Sequence, residues 1–206
     1  LQTVNNETDR LARLVNDVLD LSRLESGRSY SMDGVDLGQA IEQTLRTYQL
    51  NARDKGIELI QDIAPDLPLV RGHYDLLLQV LANLIGNGMK FTKAGGKVAL
   101  RAYQLQPQLE LKTSTPRVRV EIGDTGIGIP QEDQKAIFDR FFRVENRVHT
   151  LEGTGLGLSI VRNIIEDKHN TQVFLVSEVG IGTTFWFDLD VFKEISIKGV
   201  EKEASV

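Results

Sequence analysis

Three glycine clusters constrain this chain more than any other feature. They lie at Gly126 and Gly128, at Gly153, Gly155 and Gly157, and at Gly180 and Gly182, each beside a segment with clear apolar periodicity. Glycine is costly inside regular structure and useful where backbone must approach something closely. Clusters of it at strand ends and at a helix start therefore point to a ligand held by loops. The composition supports a domain with its own core, since 41% of the 206 residues are hydrophobic and 26% charged. A net charge of −5, from 24 basic and 29 acidic residues, argues against nucleic-acid binding. Cysteine is absent, which excludes disulfides and thiolate chemistry, and the three histidines (His73, His149, His169) are too scattered for a His-rich metal site. No apolar run approaches the ~18 residues of a membrane span, and no signal-peptide pattern opens the sequence.

From Leu1 to Glu25 apolar residues recur at three- and four-residue steps: Val4, Leu11, Leu14, Val15, Val18, Leu21 and Leu24. That pattern predicts an amphipathic helix with a heptad-like seam, stopped near Gly27. The plainer reading packs it on the chain's own core; the sharper one makes it part of a bundle completed by helices from elsewhere. Residues 28–35 are small and polar and read as a linker. Asp36 to Gln39 resembles a capping box opening a helix that ends before Gly56. A strand is expected over Ile57–Ile63 and a strong helix over His73–Lys90. Further strands are expected over Lys97–Leu105, Arg117–Gly123, Val173–Val176 and Thr183–Leu189. Helices are expected at Gln131–Phe138 and Gly155–Lys168, with a mobile polar stretch at 139–154. Strands and helices that do not strictly alternate predict an α+β two-layer sandwich. The boundaries are 1–27 for the first helix, 28–35 for the linker, 36–192 for the main domain and 193–206 for a charged tail.

Within the helix at 73–90, Asn83, Asn87 and Lys90 fall within roughly 60° of one another at about 100° per residue. Leu77, Val80, Leu81 and Leu84 fill the neighbouring arc. Asparagine is a poor helix-interior residue, so two of them one turn apart need a reason. Amide oxygens suit Mg²⁺, and lysine is a point charge for phosphate. Asp124-Thr125-Gly126-Ile127-Gly128 follows a strand, and its carboxylate can accept from an exocyclic amine such as the N6 of adenine. Gly153-Thr154-Gly155-Leu156-Gly157 opens a helix, where free N–H groups can hold phosphate. No strand precedes those glycines, so a dinucleotide fingerprint is rejected, and the Walker pattern is absent.

In this order and spacing the motifs resemble the catalytic ATP-binding domain of sensor histidine kinases, in the superfamily of gyrase and the heat-shock chaperone ATPases. Asn83–Thr92 resembles the N box, Asp124–Ile129 the G1 box and Phe138–Arg143 the F box. Gly153–Leu158 resembles G2 and Gly180–Phe185 G3. The resemblance covers about residues 1–190, with Leu1–Gly27 similar to the second helix of the dimerisation and phosphotransfer hairpin. The wording is most similar to cyanobacterial and plastid stress sensors. The resemblance implies ATP or ADP with Mg²⁺ as ligands. Asn87 would ligate the metal, with Asn83 beside it near the phosphates, and Lys90 and Arg143 would contact phosphate. Asp124 would bind the adenine amine, with Gly126 and Gly128 shaping that wall and Thr183 lining the pocket. Thr154, Gly155, Leu156 and Gly157 would close over the phosphates. Catalysis is assigned on the same basis to Asn83, Lys90 and Arg143.

The family's phosphoacceptor is a His followed by Glu or Asp. Here the followers are Tyr74, Thr150 and Asn170, so the acceptor is expected upstream of Leu1. The chain is therefore expected to be a fragment that binds Mg-nucleotide without phosphorylating itself. His73 reads as a surface residue at a helix start, His149 as a lid residue and His169 as a helix-end residue favoured by the dipole. His169-Asn170-Thr171 departs from the family's His-Gly-Gly. The implied partners are a response-regulator receiver domain and a second copy through the hairpin, with no nucleic acid and no membrane contact by this segment. The implied location is cytoplasmic, as a domain of a sensor that can carry a membrane anchor. Three other readings compete: a gyrase-like ATP-hydrolysing machine, a non-catalytic nucleotide-binding module and a serine-phosphorylating anti-sigma kinase. The first needs a Glu one turn before the metal-binding Asn, where this chain has Asn83. The third lacks the hairpin helix.

Overall fold

The structure is a computed structural model that describes residues 2–106, 115–143 and 153–193. The side chains of residues 2–7, 9 and 10 are outside that description.

The predicted first helix is α1, Gln2–Glu25, and it is split by environment. Leu21 and Leu24 are buried in the core, whereas Leu11, Val15, Val18 and Leu19 are exposed. Gly27 follows with a φ of 71°, a left-handed stop. Part of the segment read as linker is ordered, because β1, Asp33–Val35, pairs antiparallel with β3, Val70–Gly72. Three residues carry too short a pattern to be read as a strand.

Asp36 caps α2, Leu37–Lys55, by accepting the Gln39 N–H at 3.0 Å. Gly56 ends α2 in the left-handed region at φ 64°. The strand β2, Glu58–Ile63, runs parallel to β4, Lys97–Gln104. Between β3 and β4 lies α3, Tyr74–Phe91, with His73 as its N-cap. The remaining strands are β5, Arg117–Asp124, β6, Val173–Glu178, and β7, Gly182–Asp190. They pair antiparallel in the mixed order β2-β4-β5-β7-β6.

One face of this sheet presents Val98, Leu100, Val118, Val120, Ile122, Phe185 and Phe187, all buried with Leu77, Leu81, Leu84 and Ile85 of α3. The opposite face carries ion pairs, Arg101 with Asp62 and Arg119 with Asp188. That is the α+β two-layer sandwich expected from the sequence.

Two expected helices are altered. Over Gln131–Phe138 there is a run of turns ending in a 3-10 turn at Ala136–Phe138. Eight residues after a proline cannot offset the cost of helix nucleation, and the backbone closes on i+3 bonds instead. The helix expected from Gly155 begins two residues later as α4, Gly157–Arg162, because Gly155 is left-handed at φ 75°. It continues as a π-helical stretch, Asn163–Lys168, and the His169 N–H bonds to the Ile164 carbonyl five residues back. Most of the mobile stretch expected at 139–154 lies outside the described residues, namely 144–152 with His149, as does the tail from 194.

Candidate nucleotide site

Helix α3 carries Asn83, Asn87 and Lys90 on one stripe, all half-buried, with Leu77, Val80, Leu81 and Leu84 buried on the arc beside them. The Asn83 amide donates to the Gln79 carbonyl one turn earlier, at 3.0 Å. Its oxygen is turned towards Gly157, where an added Cβ would lie 2.7 Å away. An added Cβ on Gly153 would lie 2.6 Å from Lys90 Nζ. Both glycines therefore let the loop at 153–157 press directly on the polar stripe, which side chains would prevent. Gly155 packs on the backbone of Phe141, whose N–H donates to the Gly155 carbonyl at 3.0 Å. Phe141 is itself in the left-handed region at φ 61° and 60% exposed. Lys90 Nζ also stands 4.6 Å over the ring of Phe91.

Beside the Lys90 end of the stripe, next to Gly88, Asp124 closes β5 opposite Thr183 of β7. Its carboxylate accepts the Gly126 N–H at 2.8 Å and the backbone N–H of Thr183. Burial pushes the Asp124 carboxyl above its ordinary value, and these two donors pull it part of the way back. A Cβ on Gly126 would strike the Phe91 carbonyl at 2.7 Å, so the G1 loop lies directly on the end of α3. Gly128, at φ 70°, packs on the backbone of Glu178 and Val179. Its place is the joint between the G1 loop and β6. Thr183 is buried, and its hydroxyl meets Ser177 Oγ at 2.8 Å.

Ser177 went unnoticed in the sequence and is a hub. Its hydroxyl donates to the Gly182 carbonyl and accepts from the Ile129 N–H, so the Thr183 hydroxyl is the donor in their contact. Gln134 adds bonds to the carbonyls of Ile129 and Ser177. These residues fix the G1 and G3 loops to each other, and their signal is non-local pairing that no sequence period carries.

Among the expected site residues, the structure thus joins Asn83 with Gly157, Lys90 with the loop at 153, and Asp124 with Gly126 and Thr183. Asn87 lies on the same stripe of α3. Thr154 and Leu156 belong to the loop, with the Leu156 N–H reaching Thr154 Oγ1 at 3.3 Å and the Leu156 side chain buried. Arg143 is exposed at the end of a described segment. Among the described residues no group of three or more His, Cys, Asp or Glu could hold a metal ion. No helix among them is long and apolar enough to cross a membrane.

The two histidines on the opposite side correct the sequence reading. His73 does begin a helix, but it is half-buried, with its ring edge-on to Tyr30 at 5.3 Å. His169 does end one, but its Nε2 accepts the His73 N–H while Nδ1 bonds the Ile164 carbonyl. With Nε2 accepting, the ring is neutral, and burial lowers its pKa, so the arrangement favours the neutral ring over the dipole-favoured cation expected there.

Residues 72–193 match the model of the histidine kinase-, DNA gyrase B-, and HSP90-like ATPase family. The chain belongs to this ATPase family. It is 66% identical over 196 residues to "Drug sensory protein A" of Synechocystis, covering 95% of this chain and 29% of that one. The chain therefore spans under a third of that relative's length. Full-length ShkA in complex with AMPPNP superposes with a TM-score of 0.77 at 30% identity, over 93% of this chain and 38% of that one. Histidine kinase ThkA in complex with response regulator protein TrrA gives 0.70 at 26%, over 92% of this chain and 50% of that one. Sensor histidine kinases, cyanobacterial ones among them, are thus what this chain is similar to, as the resemblance implied.

Proposed function

We propose that this chain is the ATP-binding part of a two-component sensor histidine kinase that donates the γ-phosphate of ATP to a histidine on a preceding helix. The observation that carries the proposal is the contact of the loop at 153–157 with both Lys90 and Asn83, along a line from Asn83 to the half-buried Asp124, which lies beside Gly88 of the same helix. A nucleotide laid along that line has its adenine amine on Asp124 and its phosphates between the glycine loop and the α3 stripe. Phosphoryl transfer needs positioning and charge stabilisation more than covalent chemistry from the protein. Lys90 and Arg143 supply the positive charge, and Asn83 holds the loop side. Mg²⁺ fits the half-buried amide of Asn87, since this ion takes one or two protein oxygens and completes its shell with phosphates and water. Asn87 would hold the ion, which would supply positive charge to the phosphates. The position one turn before Asn87 is Asn83, which has no proton-accepting carboxylate for activating water, so rapid hydrolysis is disfavoured.

The exposed seam of Leu11, Val15, Val18 and Leu19 supports a dimer formed with a second copy through a helical hairpin. A response-regulator receiver domain is the proposed acceptor of the relay, and the cytoplasm the proposed location. The test is incubation with γ-labelled ATP, alone and with a polypeptide carrying the preceding helix. Label is expected only in the mixture. Acid-labile, base-stable label on the 206-residue chain alone would place the acceptor within it. No label in either case would favour a non-catalytic nucleotide-binding module.

A further inference from the structure

We propose that Asp17 and Asp20 of α1 are positioning residues of the phosphate end of the site, acting through Thr154 and Gln79. The proposal rests on the nucleotide reading above and assigns part of the site to a helix outside the matched ATPase region.

Helix α1 is fixed to the domain by Leu21 and Leu24, which are buried in its core. Asp17 and Asp20 lie on the same helical face, each one turn before an anchor, Leu21 and Leu24 respectively. The Asp17 carboxylate accepts the hydroxyl of Thr154 in a short hydrogen bond. The Asp20 carboxylate accepts Gln79 Nε2 at 2.7 Å. One turn further on, the Gln79 backbone carbonyl holds the Asn83 amide at 3.0 Å. A third link, between Glu25 and Arg140, ties the end of α1 to the segment leading to Phe141. Three acidic residues of α1 thus reach three separate parts of the domain that meet at the loop of 153–157.

A carboxylate only accepts, so the single proton of the Thr154 hydroxyl is committed to Asp17. That hydroxyl cannot also donate to a phosphate in this arrangement. What Thr154 contributes is the position of its loop, and Asp17 sets that position. The same oxygen accepts the Leu156 N–H, which fixes the two residues leading to Gly157 and hence the approach of Gly157 to Asn83. Three of the loop's five residues are glycine, so its side-chain packing rests on buried Leu156. Without the α1 contact the Thr154 side of the loop loses a restraint, and fixing it on nucleotide binding carries an entropic cost.

The experiment is a double-mutant cycle on the full chain, reading the affinity for Mg-AMPPNP and Mg-ADP by calorimetry. Asp17→Ala and Thr154→Val are each expected to weaken binding about threefold to tenfold, the net range of one ordinary hydrogen bond, because only part of the Asp17 contact is passed to the nucleotide. The double variant is expected to be no weaker than either single variant, and Thr154→Ser, which keeps the hydroxyl, to recover most of the affinity that Thr154→Val loses. Should Asp17→Ala fail to fold, Asp17→Leu, which has no acceptor and keeps the side chain's volume roughly, carries the same cycle. Wild-type affinity in the Asp17 variant, or losses that simply add in the double variant, would overturn the proposal. If the wild-type chain bound neither nucleotide, the nucleotide reading would fall first, and the outcome would be told apart by that control.

Discussion

His169 receives the backbone N–H of His73 on Nε2 at 3.3 Å, and so joins the end of the π-helical stretch to the N-cap of α3. The bond exists only while the ring is neutral. Protonation would set an Nε2–H against the His73 N–H, with Arg71 and His73 adding repulsion.

This relationship predicts an acid-sensitive fold. Burial lowers the folded pKa of His169 below its ordinary value of 6.5. The neutral ring therefore contributes its full stability above that ordinary value. The contribution is lost progressively as pH falls from there towards the lowered folded value. The thermal midpoint should drop between neutral and mildly acidic pH. His169→Gln, which keeps an acceptor without titrating there, should flatten that slope. A slope unchanged in the variant would assign the acid sensitivity to other groups.

Asp124 shows the opposite shift and predicts a trade between stability and binding. Its folded pKa is raised, so ionising it costs stability that accrues as pH rises through the carboxylate range to the raised value. Asp124→Asn removes that cost and should melt at the same temperature or higher. It should also bind ADP about tenfold more weakly, because an unpaired exocyclic donor costs ~1–3 kcal/mol. Calorimetry beside thermal melts separates the two effects, and unchanged ADP affinity would remove the adenine assignment.

Gly157 predicts the same separation from the phosphate end. An alanine there gains helix propensity of up to ~1 kcal/mol at the first residue of α4. Its Cβ would nevertheless arrive 2.7 Å from Asn83 Oδ1 and push that amide off its present line. Gly157→Ala should keep or raise the unfolding midpoint while lowering affinity for Mg-AMPPNP severalfold. Affinity equal to wild type would show that Asn83 takes no part in binding.

The parts legible in the sequence were those carried by local periodicity and by glycine. Eight-residue strands such as Lys97–Gln104 alternate cleanly because one face is buried, and α3 is long enough for its apolar arc and polar stripe to separate. The residues at 170–171 were legible only as a departure. The structure explains it, since Asn170 takes the left-handed position at φ 53° that glycine otherwise fills. Illegible were features made by distant partners. Three-residue β1 exists because Val70–Gly72 offers it an edge, and Ser177 matters because Ile129, Gly182 and Thr183 converge on it. The neutral state of His169 likewise depends on a backbone N–H 96 residues away.

Helix α1 predicts two behaviours along one element. Leu24 is 2% exposed within the core, so Leu24→Ala should cost ~2–5 kcal/mol in urea unfolding. Val15 is 47% exposed on the seam, so Val15→Ala should change unfolding of the isolated chain by no more than ~0.5 kcal/mol. The two positions are nine residues apart on one helix, so loss of helix propensity cannot separate them; burial can. Equal losses at both sites would mean that the seam is covered in solution. Sedimentation of the Val15 variant at the same concentration would then show whether the cover is a second copy of the chain.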